Sequence, residues 1–102
     1  MIVICINIPE DAFAQVTNAM FAAGAGNMGN YDQCCFVTKG VGQFRPLPGS
    51  QPHIGTQMQL TMVNELKVET VCLDQNYDAV VQAMLNAHPY ETPYWYAQKV
   101  YD

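Results

Sequence analysis

The sequence has few charged side chains. Asp, Glu, Lys and Arg make up only 13% of its 102 residues, about half the share that is usual in globular domains. The nine acids outnumber four dispersed cations and give a net charge of −5; the cations are Lys39, Arg45, Lys67 and Lys99. Because nucleic-acid binding needs clustered cations along one surface, we expect no nucleic-acid partner. A half-apolar chain with so little charge is expected to bury surface in a partner, most simply another copy of itself.

Long apolar runs and disulfide-type cysteine spacings are also missing. The first apolar run, residues 2–8, ends at Pro9 and has no cationic segment before it. The sequence therefore predicts neither a signal peptide nor a membrane span. No C-x-x-C spacing occurs among the four cysteines, which are Cys5, Cys34, Cys35 and Cys72. We expect buried free thiols and a cytoplasmic location.

Residues for nucleophilic catalysis are scarce. Ser50 is the sole serine and lies in a glycine- and proline-rich loop, with no triad assembled around it. Cys34 or Cys35 could pair with a histidine as a nucleophile. A thiol in an apolar strand would, however, have a raised pKa and low reactivity. No catalytic residue is assigned, and an enzyme with an active site between subunits is kept as an alternative.

Periodic apolar patterns lie on either side of a segment, residues 24–55, that contains all seven glycines. Patterning predicts strands over residues 2–8, 31–39, 57–73 and 93–101, the third with a bulge at Asn64-Glu65. It predicts one helix that opens at residues 9–11 and ends by Gly24, and a second from an N-cap at Asp74 to the residue before Pro89. The order β-α-β-β-α-β predicts a single α+β domain, residues 1–102, of the ferredoxin-like type. Its antiparallel sheet would carry both helices on one face and leave an apolar face uncovered.

Three motifs resemble those of a known family. They are G-A-G-N-M-G-N-Y at residues 24–31, G-V-G-Q-F-R-P-L-P-G at 40–49 and H-P-Y-E-T-P at 88–93. In this order they resemble the YqfO family, whose larger members carry a CutA/PII-like domain inserted between two halves of a dimetal-binding protein. The resemblance covers nearly the whole chain and implies that it is the CutA/PII-like domain in stand-alone form. The two-metal ligands of the flanking halves are absent, so the metal-dependent hydrolase role suggested for that family is not implied here.

Gly24-x-Gly26-x-x-Gly29 also matches the dinucleotide-binding fingerprint letter for letter. In that fingerprint a strand leads into the glycines and a helix N-terminus follows to face the phosphates. Here a helix comes before the glycines and a strand after them. The order favours a helix cap and tight turn, with Asn27 and Asn30 tolerating left-handed dihedrals. No cofactor is predicted.

The residues His88, Tyr90 and Glu91 are predicted to bind a ligand together with Phe44 and Arg45 of the long loop. Loops of this length tend to carry function, and a single arginine on one is an apt anion contact. Structural roles are the alternative: an imidazolium at a helix C-terminus for His88, backbone contacts for Glu91, and a surface ion pair for Arg45. A second alternative is a metal site.

That metal site would use His53, His88 and Glu91, although three or four ligands with supporting contacts are usual. The function predicted first is a small non-enzymatic, regulatory module that binds a small ligand or a partner protein. Metal binding of the CutA type and catalysis are the alternatives. The H-P-Y-E-T-P element at residues 88–93 is also similar to the one in CutA proteins. This resemblance implies a trimer with sheets packed around a three-fold axis and a ligand cleft between subunits; a dimer is the alternative.

Overall fold

A computed structural model of the protein describes residues 1–101. Its regular elements are β1 (Ile2–Pro9), a 3-10 turn (Glu10–Ala12), α1 (Phe13–Ala22), β2 (Phe36–Phe44), β3 (Thr61–Cys72), a second 3-10 turn (Asp74–Asn76), α2 (Tyr77–Ala87) and β4 (Trp95–Lys99). The strands form one sheet in the order β2-β3-β1-β4, and every neighbouring pair is antiparallel. This arrangement confirms the predicted α+β fold.

The core lies between one face of the sheet and the two helices. Along β1, Ile4, Ile6 and Ile8 alternate onto this face and are fully buried. The helices contribute side chains at helical spacing that are equally buried; these are Val16, Met20, Val80 and Met84. Burial of each such side chain stabilises the fold by roughly 1.5–3 kcal/mol. No helix within residues 1–101 combines the length and the apolar character that crossing a membrane requires.

Strand β2 lies further along the chain than its predicted position at 31–39. Residues before it are held instead by the turn that contains Gly24, Gly26 and Gly29, called the glycine turn below. The amide of Gly26 donates to the carbonyl of Val71 at 2.8 Å, and the amide of Cys34 donates to the carbonyl of Gly26 at 2.9 Å. These bonds take up backbone groups that a strand would need for its ladder. The strand therefore starts at Phe36 and continues into the segment 40–44, which was predicted to be loop.

Strand β3 has no bulge. Its register against β2 and against β1 is unbroken, so Asn64 and Glu65 keep their places in the ladder. It also begins at Thr61 rather than at 57. Met58 has a φ of 67°, and such a left-handed residue ends an extended strand. The residues just before β3 therefore form a turn.

Asp74 is not a helix cap, contrary to the prediction. No side chain caps α2 or the 3-10 turn before it. The Asp74 carboxylate instead contacts the ammonium of Lys99 and, at 3.1 Å, the N-terminal amine of Met1. These two contacts lower the pKa of Asp74, that of Lys99 being the larger cause.

The uncovered face of the sheet is more polar than predicted. Because Leu66 and Val68 point to the core, Lys67 and Glu69 alternate onto the opposite face and are exposed there, while Glu65 on the same face is buried. Lys67 and Glu69 form an ion pair at 3.5 Å. Exposed aromatic side chains share this face: Phe36 is 68% exposed, and Tyr96 is 44% exposed.

The four cysteines are free thiols, but only Cys5 and Cys72 are buried as predicted, and Cys34 and Cys35 are partly exposed. Burial raises the pKa of Cys35, and the neighbouring Cys34 adds to the effect. Burial is also the main cause that raises the pKa of Cys72. Since only a thiolate is a good nucleophile, these two side chains are poorly reactive at neutral pH.

Candidate ligand-binding cavity

A cavity of about 770 Å³ opens between the end of the sheet, the loop 45–60 and the turn 88–94. Phe44, Arg45, Tyr90 and Glu91, four of the five predicted ligand contacts, line it. They come from two segments more than forty residues apart in the sequence. His53, named in the alternative metal set, lines the same cavity.

His88, the fifth predicted contact, lies behind the cavity and is only 6% exposed. The backbone amide of Tyr90 donates to its Nδ1 at 3.1 Å. Because an amide can only donate, Nδ1 must accept, and the ring proton lies on Nε2. Nε2 then donates to the carbonyl of Asn7 at 2.8 Å. His88 thus joins the end of α2 to β1.

This environment favours the neutral imidazole, not the imidazolium expected at a helix C-terminus. Burial is the largest cause that lowers the pKa of His88, and His53 acts in the same direction. The Asn7 carbonyl and the Glu65 carboxylate oppose the shift without reversing it. Because the Nδ1 lone pair accepts from one backbone group and the Nε2 proton is donated to another, the ring presents neither to the cavity.

Glu91 fixes the loop over the cavity. Its carboxylate accepts a hydrogen bond from the backbone amide of Gln51 at 3.1 Å. The loop has bonds of its own, from the Gln57 side chain to the Ser50 carbonyl at 3.0 Å and from the Ser50 hydroxyl to the Leu47 carbonyl at 2.6 Å. The wall of the cavity is therefore held from both sides, as in a largely pre-formed ligand site.

Aromatic rings surround Tyr90. Its ring centroid lies 6.1 Å from that of Phe44, 6.2 Å from that of His53 and 5.0 Å from that of His88, all in tilted geometry. Such tilted pairs are a favourable arrangement of ring quadrupoles. The rings of Phe44, Tyr90 and His53 give the cavity a rigid aromatic side.

Glu65, which the sequence analysis did not identify, forms part of the cavity lining and is only 7% exposed. The strand β2 passes very close to it: a Cβ atom at Gly42 would overlap its carboxylate, whereas the space at Gly40 is open. Gly42 therefore gives the Glu65 side chain room to lie across β2. The available signal was the Asn64-Glu65 pair, which interrupts the apolar alternation of the strand, and it was assigned instead to a bulge.

The Tyr90 hydroxyl is shielded from water and is directed at the Glu65 carboxylate. Burial is the main cause that raises the pKa of Tyr90 well above its usual range. The Glu65 carboxylate is the next cause, and Asp11 adds a smaller effect. The cavity therefore contains a neutral phenol beside a buried carboxylate.

Metal ligands are not grouped in the described part of the chain. Within residues 1–101, no three His, Cys, Asp or Glu side chains come together as a metal ion would need. His53 and Glu91 line the cavity, while His88 is turned to the backbone.

The glycine turn has the predicted left-handed dihedrals, but not at its asparagines. Gly24, Gly26 and Gly29 have φ values of 115°, 82° and 57°. Asn27 and Asn30 are absent from the residues with positive φ, while Gln33 has a φ of 56°. The turn follows the carbonyl end of α1, as expected for a cap.

The chain is similar to one segment of longer proteins. No family model matches it. It is 45% identical over 86 residues to a Halalkalibacterium halodurans protein described as a GTP cyclohydrolase 1 type 2 homolog, a match that covers 84% of this chain and 23% of that protein. The chain therefore spans about a quarter of the length of the curated NIF3/YqfO-like relatives it matches.

Solved structures agree with the fold. A Bacillus cereus protein related to NIF3 superposes with a TM-score of 0.79 at 32% identity, over 94% of this chain and 24% of that one. CutA1 from Pyrococcus horikoshii superposes with a TM-score of 0.70 at 12% identity, over 100% of this chain and 85% of that one. The second likeness shows a CutA/PII-like fold, as predicted.

Proposed function

We propose that this chain is a CutA/PII-like module of the YqfO family that binds a small ligand in the cavity beside Tyr90. The observation that supports the proposal is the convergence of Phe44, Arg45, Tyr90 and Glu91 on one cavity of about 770 Å³. That volume lies in the range of small-molecule sites. Arg45 at the opening is a contact for an anionic part of the ligand.

The proposed role is regulatory and non-enzymatic, in a homo-oligomer and in a reducing cytoplasm. Four free cysteines accord with a reducing compartment. An oligomer is supported by the exposed aromatic side chains on the open face of the sheet. Metal binding through His53, His88 and Glu91 has weaker support, because both ring nitrogens of His88 already have backbone partners.

Fragment screening by ¹H–¹⁵N NMR tests ligand binding without knowledge of the natural ligand. We expect a library of small, soluble fragments to perturb amides of residues 44–54 and 90–94 more often than those of any other surface. Phe44→Ala removes an aromatic wall and should abolish most hits. Phe36→Ala, at the other end of β2, is the matched control and should leave them unchanged.

Fragments that perturb other surfaces and leave the cavity amides unshifted would contradict the proposal. Equal losses of hits in Phe36→Ala and Phe44→Ala would contradict it as well, since the hits would then reflect general loosening of β2.

A further inference from the structure

The cavity contains a carboxylate that is almost wholly removed from water. Glu65 is 7% exposed and belongs to the cavity lining, and no Lys or Arg pairs with it within residues 1–101. Burying a carboxylate without a cationic partner is costly. Groups of this kind persist where a ligand supplies the missing partner or where strain serves a function.

A second buried polar group lies beside it. The Tyr90 hydroxyl is inaccessible to solvent and directed at the Glu65 carboxylate, while its ring borders the cavity. A carboxylate has about four acceptor positions, and the phenol proton takes up only one of them. The remaining positions could accept from a ligand with more than one N–H.

The surrounding charge also favours a cation. Three carboxylates, those of Asp11, Glu65 and Glu91, lie around Tyr90 or in the cavity lining, against one fixed cation, Arg45. The whole chain carries a net charge of −5. Arg45 is exposed at the opening and forms no ion pair within residues 1–101, so it does not neutralise Glu65 in this structure.

The lining favours an organic cation. The Phe44 and Tyr90 rings lie 6.1 Å apart beside the carboxylate, and aromatic faces attract ammonium and guanidinium groups. The small apolar side chains Pro52 and Ile54 line the same cavity. An aliphatic or aromatic body could therefore be buried together with the charged nitrogen.

We propose that the cavity binds a small organic amine or guanidine, whose protonated nitrogen donates to the Glu65 carboxylate. The inference rests on the proposed function and adds the chemical class of the ligand to it. Gly42 has a defined part, because the absence of a side chain there lets the carboxylate lie at the cavity.

Three matched probes test the charge preference in the full chain: phenethylamine, the neutral phenethyl alcohol and the anionic 3-phenylpropanoate. Dissociation constants come from NMR titration of the cavity amides. We expect the amine to bind at least tenfold more tightly than the alcohol, and the carboxylate probe to bind most weakly. Nα-acetyl-lysine N-methylamide is a further probe that stands for a lysine side chain of a partner protein.

Two variants test Glu65 from different directions. E65Q keeps the shape and should reduce the ratio of amine to alcohol affinity to about one. Gly42→Ala should do the same by displacing the carboxylate, while Gly40→Ala, where the space is open, should keep the ratio of the wild type. Ligand-free E65Q should melt no lower than the wild type, because an uncharged amide avoids the cost of burying a charge.

The outcomes separate the two proposals. Equal binding of amine and alcohol by the wild type, or an unchanged preference in E65Q, overturns the cation site but leaves a ligand cavity in place. A lower melting temperature of E65Q would show that Glu65 stabilises the fold, and this result also overturns the cation site. Tighter binding of the lysine derivative than of phenethylamine overturns the small-molecule source. Failure of every probe, with no fragment at the cavity amides, contradicts the proposed function itself.

Discussion

Gly26 and Gly29, both in the turn after α1, are needed for different structural reasons. Gly26 has a φ of 82°, and a Cβ atom there would lie 2.9 Å from both the backbone nitrogen of Cys34 and the ring of Phe21. Gly29 has a φ of 57° but open space around it. Gly26 is therefore required for its dihedral and for close packing, whereas Gly29 is required for its dihedral alone.

Gly26→Ala should destabilise the protein by more than about 1 kcal/mol, because strain at positive φ is added to a clash with backbone. Gly29→Asn should change the free energy of unfolding by less than about 0.5 kcal/mol, since asparagine tolerates the left-handed region. Urea unfolding measures both. Superimposable curves for the two variants would refute this assignment of roles.

His88 should make stability depend on pH. Burial lowers its pKa in the folded state, while the unfolded chain keeps a value of about 6.5. Between the two values the unfolded state binds more protons, so the free energy of unfolding falls as the pH drops below about 6.5 and levels off below the folded pKa.

Between pH 8 and pH 5, the melting temperature of the wild type should therefore fall further than that of His88→Gln, which has no proton to gain. The carboxylates titrate in both proteins and cancel in the difference. His53→Gln removes one of the smaller causes that lower the pKa of His88, so its melting temperature should fall slightly less than that of the wild type but further than that of His88→Gln. Parallel pH profiles of the wild type and His88→Gln would show that the ring is not held neutral.

Part of the cavity could be predicted from residue types. The His-Pro-Tyr-Glu turn and the arginine in the glycine-rich loop place polar and aromatic side chains in loops, where binding residues are common. This observation identified four residues of the cavity lining. Glu65 could not be found in this way, because its place beside Gly42 and Tyr90 depends on the register of β2 against β3. A five-residue error in the position of β2 concealed that register.

At the scale of elements, the glycine turn is tied to β3 by a side chain. The buried hydroxyl of Thr70 donates to the Cys34 carbonyl at 2.8 Å. Thr17 makes a bond of equal length, but to the Phe13 carbonyl within its own helix. The first bond joins segments 36 residues apart, and the second is local.

Thr70→Val should cost about 1–3 kcal/mol in unfolding free energy, because it leaves the Cys34 carbonyl without its partner. Thr17→Val should cost less, because the helix still provides a partner for the Phe13 carbonyl. Chemical denaturation gives both values, and hydrogen exchange of the Cys34 amide reports loosening of the turn. If Thr17→Val proved the more costly change, the turn would not depend on Thr70.

Element types were more predictable than their limits. The first strand was recovered almost residue by residue, and the second helix apart from its start, because β-branched runs and helical spacing agree with their tertiary surroundings. Residues 31–35 read equally well as strand, yet their backbone is taken by the glycine turn and by a Met28–Tyr31 bridge. Tertiary hydrogen bonds keep these residues out of the strand, and such bonds cannot be predicted from the local sequence pattern.

At the scale of the molecule, the sheet has one open face and a long exposed edge. No residue of β2 is fully buried, and β2 is an edge strand. The hairpin of β2 and β3 projects beyond β1, because Thr61–Asn64 pair with β2 alone. Exposed strand edges and aromatic faces are commonly covered by association.

We expect a trimer, and light scattering at micromolar concentration should give three times the 11.3 kDa of one chain. Phe36→Lys places a charge on the open face and should shift the mass towards that of a monomer. Leu85→Lys, on α2 at the opposite side of the molecule, is the control and should keep the larger mass. A single species with the mass of one chain in the wild type would rule out the assembly.

The two outer ends of the described chain meet at one place. Strands β1 and β4 are neighbours, and the amide of Val100 donates to the carbonyl of Met1 at 3.0 Å. The ends lie about 5 Å apart, as paired strands do. A domain with such ends can be inserted into a loop of a host protein with hardly any change in the distance that the loop spans. The host then closes a short gap rather than a coil of a hundred residues, so the entropy of loop closure remains small. The same geometry allows a few-residue linker to join the ends and new termini to be opened elsewhere, in a circular permutant that keeps the cavity.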